Sequence, residues 1–341
     1  MLGETANDLA WPACPYEVRA ASADVERLSD DTLCQLTFDA TGTHGTGGDA
    51  RHIRVPLAPL ATPDAAGVCW HSRLPVRSGW CEQVGWTVNG VIAFVHLQVP
   101  EAELDGDFES AVGGAYHRLL GVARDAGYPE PLRVWNYLSA INAGDGERER
   151  YRRFCVGRYP VLAAVRGFER HLPAATAIGS ATGKGLVVFA LCGRQPGMQV
   201  ENPQQVSAFR YPPAYGRRSP SFSRATLVPW ADGARLMVSG TSSIVGHASV
   251  HVGDPVAQLE RAMQNIAHLR DAAVRRHLPQ RAATDLQLES ALVYVRRPHD
   301  ASLLVPRLPA LFGAVQPRLL QGDICRRELR VEVEAVYRST P

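Results

Sequence analysis

DPVAQLERAMQNIAHLRDAAVRRHLPQRAATDLQLESALVYVR, residues 254–296, changes its hydrophobic period once, and that change decides the fold. Val256, Leu259, Met263, Ile266, Leu269 and Ala273 recur at steps of three and four, which puts them on one helix face. Asp254 in front of Pro255 supplies an N-cap and a proline in the first turn. LESALVYVR, residues 288–296, then reads as a strand. The stretch 235–252 upstream is strand-like as well, so the unit is strand, helix, strand.

The same order occurs earlier. Residues 86–99 read as strand, and 101–127 as a helix carrying Phe108, Val112, Ala115, Leu119, Val122 and Ala126 on its buried stripe. LRVWNYL, residues 132–138, returns as strand. Each unit runs on into a short helical piece, 148–157 and 301–312. The expectation is an α/β (α+β) fold of two related strand-helix-strand halves, divided as 1–145 and 146–341. The stretch to about Asp64, with the glycine cluster GTHGTGGDA, reads as β-rich.

RVEVEAVY, residues 330–337, closes the second unit. Its alternation puts Val331, Val333 and Ala335 on one face and Glu332 and Glu334 on the other. Two glutamates on one face mean either solvent or a site.

At 341 residues and 45% apolar content the chain can bury one large core or two. Thirty-six basic against 34 acidic side chains leave a net charge of +2, and the arginine pairs 152–153, 217–218 and 326–327 are scattered, which argues against a nucleic-acid partner. No run approaches the roughly 18 apolar residues of a membrane span, and the start lacks a signal-peptide pattern. A cytoplasmic location and no membrane partner are therefore expected, as a monomer or small homo-oligomer. Seven cysteines at irregular spacing, none in a C-x-x-C pair, fit small buried residues better than a disulfide framework or a zinc site.

GSATGKG, residues 179–185, is one residue short of a phosphate loop and lacks the following hydroxyl residue, so it reads as a tight glycine turn. His247 and His251 have no third ligand in view, and no metal or cofactor is expected. What remains is arginine, tyrosine, serine and carboxylate. Lys184 is the one lysine, so positive charge comes as guanidinium, which grips carboxylates bidentately. Arg158, Arg217 and Arg224, with Tyr211 and Tyr215 in the proline-rich stretch 196–229, suggest a wall for a dicarboxylate ligand. Gly240, Thr241 and Ser242 end an apolar run where small residues permit close approach of a ligand. From local sequence alone, a turn bonding its own backbone is as good a reading.

The second unit resembles the small YjgF/Rid imine deaminase fold over about a hundred residues. A tighter resemblance, to the chorismatases, rests on five blocks in order: RVWNYLSAIN (133–142), ERYRRFCVGR (149–158), SPSFSRA (219–225), SGTSSIVGH (239–247) and GDICRRELRVEVEA (322–335). That resemblance implies cleavage of chorismate with release of pyruvate and no cofactor. It implies Glu332 as proton donor, and Cys325 as the cysteine that marks the hydroxybenzoate-forming branch. The expected ring product is 3-hydroxybenzoate, alone or mixed with 4-hydroxybenzoate. Ser242 departs from the glycine or alanine that the resemblance implies at its position. A hydroxyl there could hold a water and favour hydrolysis to the dihydroxycyclohexadiene acid. An imine deaminase and an inactive ligand-binding protein on the same scaffold are the competing readings.

Overall fold

The computed structural model describes residues 10–21, 28–41, 48–60, 67–165 and 167–339. Four strands come first: β1 (Tyr16–Ala21), β2 (Thr32–Phe38), β3 (His52–Val55) and β4 (Gly67–Ser72) form one sheet in the order β1-β4-β2-β3. This bears out the β-rich N-terminal reading, although most of the glycine cluster, and Asp64, lie outside the described residues.

The first repeat comprises β5 (Arg77–Cys81), β6 (Val84–Val88), β7 (Ile92–Val99), α1 (Glu101–Gly106), α2 (Phe108–Asp125), β8 (Glu130–Ser139), α3 (Arg150–Ala163), β9 (Ala174–Ser180) and β10 (Leu186–Gly193). Its sheet order is β5-β6-β7-β10-β8-β9. The second comprises β11 (Met198–Val200), β12 (Ala225–Trp230), β13 (Gly233–Ser242), a small ribbon β14 (Ile244–Val245) and β15 (Ala248–Ser249), α4 (Pro255–His277), β16 (Leu286–Val295), α5 (Ala301–Leu304), α6 (Leu308–Phe312), β17 (Arg318–Gln321) and β18 (Val331–Ser339). Its sheet order is β11-β12-β13-β18-β16-β17. Position for position the two sheets share one topology, each with a single parallel pair, β8 with β9 and β16 with β17. The expected division at 145/146 falls inside the first sheet, because β9 and β10 lie beyond it.

Local chemistry sets the element ends. The apolar run 86–99 is two strands rather than one, reversed at Asn89-Gly90, where Gly90 takes φ 86° and the Asn89 side chain accepts from the backbone N–H of Val91 and Ile92. Asn-Gly is a strong hairpin signal. The helix expected over 101–127 breaks at Asp107, whose carboxylate caps α2 through the N–H of Ser110. Asp254 caps α4 through the N–H of Val256 and Ala257, both at 3.0 Å. GSATGKG ends β9 with Gly179 and Ser180 and turns over 181–185 into β10, with Gly183 and Gly185 at positive φ.

Three apolar clusters define the layers. Helix α2 covers the outer face of the first six-stranded sheet, and α4 covers that of the second with Leu259, Ile266, Leu269 and Ala273. Burying each large apolar side chain contributes about 1.5–3 kcal/mol. The inner faces of both sheets meet each other and the N-terminal sheet in a third cluster around Trp135, Phe189, Met237 and Tyr294. Val331, Val333 and Ala335 point under α4. The glutamate face of β18 therefore turns into the seam between the sheets rather than to solvent, where Glu332 and Glu334 are both buried.

Candidate active site

Glu332 is the second residue of β18, paired in register with Ser242 on one side and Tyr294 on the other. The pairing of β13 with β18 slips between Val238 and Thr241, and this irregularity brings Gly240 and Ser242 against the Glu332 carboxyl. Ser242 Oγ donates to Oε2 at 2.9 Å. A Cβ on Gly240 would overlap Oε1, so only glycine leaves the carboxyl its place. Burial raises the Glu332 pKa to about 7; the Ser242 hydroxyl opposes the rise, Glu334 adds to it, and Arg133 and Arg224 oppose it.

Glu334, two residues on, is held differently. It accepts from Trp135 Nε1 at 3.0 Å, Arg133 Nη2 at 2.9 Å and Thr176 Oγ1 at 2.6 Å. Thr176 Oγ1 also accepts the Gly240 N–H at 3.0 Å, which fixes the backbone beside Glu332. Glu334 braces the site and Glu332 faces the open side of it.

That open side is a cavity of about 350 Å³. Gly240, Ser242 and Glu332 form its β-sheet wall, and Glu149, Tyr151 and Arg152 enter from the start of α3. Tyr211, Tyr215, Phe222 and Arg224 come from the connection before β12, and Cys325, Arg326 and Arg327 from the loop before β18. Two guanidinium groups pack on one ring: Arg224 lies 5.5 Å and Arg326 5.2 Å from the Tyr211 centroid, and Arg326 also stacks on Tyr215 at 4.1 Å. Arg224 donates to the Tyr211 hydroxyl at 2.8 Å and the Val206 carbonyl at 2.9 Å. Among the described residues, Arg224 Nε and Arg326 Nη2 have no hydrogen-bond partner. Cys325 is half-buried on the wall, and its thiol is pushed up to about 12, by burial first and then by the Glu332 charge. It stays protonated at neutral pH.

A raised carboxyl, a neutral thiol and four arginines around one cavity can protonate an electron-rich carbon on an anionic molecule. A family model described as "Chorismatase FkbO/Hyg5-like, N-terminal" matches residues 68–192. A chorismatase of Streptomyces hygroscopicus is 34% identical over 339 residues, covering 95% of this chain and 94% of its own.

The chain belongs to the chorismatase family.

A second family relative from the same organism, named 3-hydroxybenzoate synthase, is 33% identical over 82% of this chain and 83% of its own. A chorismatase crystal structure superposes with a TM-score of 0.84 at 30% identity, covering 95% of this chain and 98% of the other. The α/β fold and an enzyme of chorismatase type are thereby established. Among the described residues no group of three or more His, Cys, Asp or Glu is placed to hold a metal ion. No helix of the described residues is long and apolar enough to cross a membrane.

Of the site residues expected from sequence, Glu332, Cys325, Tyr211, Tyr215, Arg224, Gly240 and Ser242 line the cavity. Three do not. Arg158 lies two turns beyond Tyr151 on α3 and is not among the residues lining the cavity. There it is fully buried, stacked on Phe154 at 4.8 Å and hydrogen-bonded to the Tyr116 hydroxyl at 3.4 Å. Arg217 is exposed, and its guanidinium bridges Glu109 at 3.1 Å and Glu147 at 3.4 Å. Thr241 falls on the opposite face of β13 by alternation and bonds the Ser239 carbonyl at 2.8 Å. The serines of the 219–223 stretch are occupied locally: Ser219 with the Tyr211 carbonyl and Ser223 with the Ala225 carbonyl. Sequence reasoning missed Arg326, Tyr151, Arg152 and Glu149 as cavity residues. The signals for Arg326 were its place in the GDICRRELRVEVEA block and its position next to Cys325.

Proposed function

We propose that the protein cleaves chorismate into pyruvate and 3-hydroxybenzoate, the latter alone or mixed with 4-hydroxybenzoate. The observation that carries the reading is Glu332: a buried carboxyl held protonated to about pH 7, with a single donor among the described residues, facing a cavity that holds arginine. Chorismate is a dianion whose enolpyruvyl ether becomes a good leaving group once its methylene carbon is protonated. Arg224 and Arg326, both packed on the Tyr211 ring, are the cations suited to its carboxylates. Glu332 supplies the proton, and the π electrons of the methylene form the new C–H bond, leaving an oxocarbenium carbon. Water adds there, and the hemiketal collapses to pyruvate and the ring diol. Loss of water from the diol gives the hydroxybenzoate, with Cys325 on the wall as a neutral thiol beside the ring.

The name of the 3-hydroxybenzoate synthase relative supports the aromatic product. The hydrolytic alternative, with the diol as end product, drew on a Ser242 hydroxyl free to hold water. That hydroxyl donates its proton to Glu332 Oε2, which leaves only its lone pairs for a water. Incubation with chorismate, with pyruvate followed through lactate dehydrogenase and ring products separated by chromatography, tests the reading. Absence of pyruvate would overturn it, and the diol as sole ring product would overturn the branch.

A further inference from the structure

The Glu332 carboxyl sits in two unlike settings, one for each oxygen. Oε2 takes the Ser242 hydroxyl at 2.9 Å, the one hydrogen bond to this carboxyl among the described residues. Oε1 packs against Gly240, in the space a Cβ would otherwise fill, and both residues line the cavity. The backbone that carries Ser242 is held: its carbonyl accepts from Asn265 Nδ2 at 3.1 Å, and the fully buried Asn265 also binds the Ile244 carbonyl at 2.9 Å. α4 thus clamps the end of β13 that carries the serine.

We propose that Ser242 is a positioning residue for the proton transfer: by donating to Oε2 it makes Oε1, against Gly240, the oxygen that carries and delivers the proton. A protonated carboxyl keeps one carbonyl-like oxygen and one O–H. A donor fixed on Oε2 favours the arrangement with the O–H on Oε1. In the transfer the Oε1–H bond breaks, its electron pair stays on the carboxylate, and the proton goes to the methylene carbon. The carboxylate so formed is then stabilised by the same serine, which makes Glu332 a better acid at the moment it gives up its proton. This deepens the function proposed above and rests on it.

The groups around this carboxyl are Glu334 on its own strand, Arg133 on β8, Arg224 before β12, Tyr151 on α3, and Cys325 and Arg326 on the loop before β18. None of them changes when Ser242 does, so Ser242→Ala isolates the hydroxyl. Removing a donor to the ionised form raises the pKa. Two readouts separate the two ideas. In infrared difference spectra against Glu332→Gln, the carboxyl band of Ser242→Ala should titrate at higher pH than that of the wild type, and Ser242→Thr should return it toward the wild-type midpoint. In pyruvate release from chorismate, Ser242→Ala should lower kcat roughly five- to tenfold, the worth of about one hydrogen bond. The alkaline limb of its kcat/KM profile should move up in pH, and threonine should rescue both changes. An unmoved infrared midpoint overturns the inference whatever the activity. So does a moved midpoint with unchanged kcat. A moved midpoint in a protein whose wild type releases no pyruvate sinks the chorismate reading instead, and leaves the serine's hold on Glu332 standing.

Discussion

Glu332 and Glu334 project from the same face of one strand, yet the first accepts one hydroxyl while the second accepts an arginine, a tryptophan N–H and a threonine hydroxyl. Their substitution should therefore fail in different ways. Glu332→Gln keeps shape and removes the transferable proton, and should lower pyruvate release by about 10²–10⁴-fold with the fold intact. Glu334→Gln leaves Arg133 buried without its counter-charge, at a cost on the order of 3–5 kcal/mol. Thermal melts and pyruvate assays on both variants check this. Wild-type turnover in Glu332→Gln would remove that residue from the mechanism.

The pH dependence follows from the raised carboxyl. As the proposed proton donor Glu332 acts in its protonated form, so kcat/KM should fall as pH rises through about 7. Its folded pKa lies above the ordinary 4.5, so the folded state binds the proton more tightly than the unfolded chain. Below pH 4.5 both states are protonated, and no penalty exists. As pH climbs to about 7 and beyond, the folded protein is penalised for holding the ion. Glu332→Gln should match the wild-type melting temperature near pH 4.5 and exceed it at pH 8.5. A wild-type advantage at pH 8.5 would contradict the assignment.

Cys325 should behave as a thiol. With its pKa pushed up to about 12, it should resist iodoacetamide at pH 7.5, whereas exposed Cys81 reacts. Cys325→Ala should leave pyruvate release in place and shift the ring products toward the diol. Chromatography of an unchanged aromatic product would make Cys325 a packing residue.

The arginines divide by position. Arg224→Ala and Arg326→Ala should each raise KM for chorismate, roughly ten- to a hundredfold if each loses a charged hydrogen bond. Arg217→Ala, exposed and paired with Glu109 and Glu147, should leave KM within about twofold. Steady-state kinetics on the three variants check the order, and a large KM effect confined to Arg217 would restore it to the site.

Sequence by itself determined the duplicated units, the capped helix after Asp254 and the glutamate face of β18, because hydrophobic period and capping are local properties. It also supplied, through blocks resembling a known family, Arg224, Gly240, Ser242, Cys325 and Glu332 of the cavity wall. Only the tertiary structure decided the rest. Whether the glutamate face met solvent or a seam depended on where the second sheet lay. That Ser242 meets Glu332 depended on a register slip between strands 90 residues apart in sequence. Arg158 and Arg217 are ordinary polar arginines in the sequence. One is buried on Phe154 and the Tyr116 hydroxyl and the other is drawn outward by two glutamates, while Arg326 is brought in beside Tyr211. Such convergence is set by long-range packing of three sheets, and neither spacing nor periodicity along the chain encodes it.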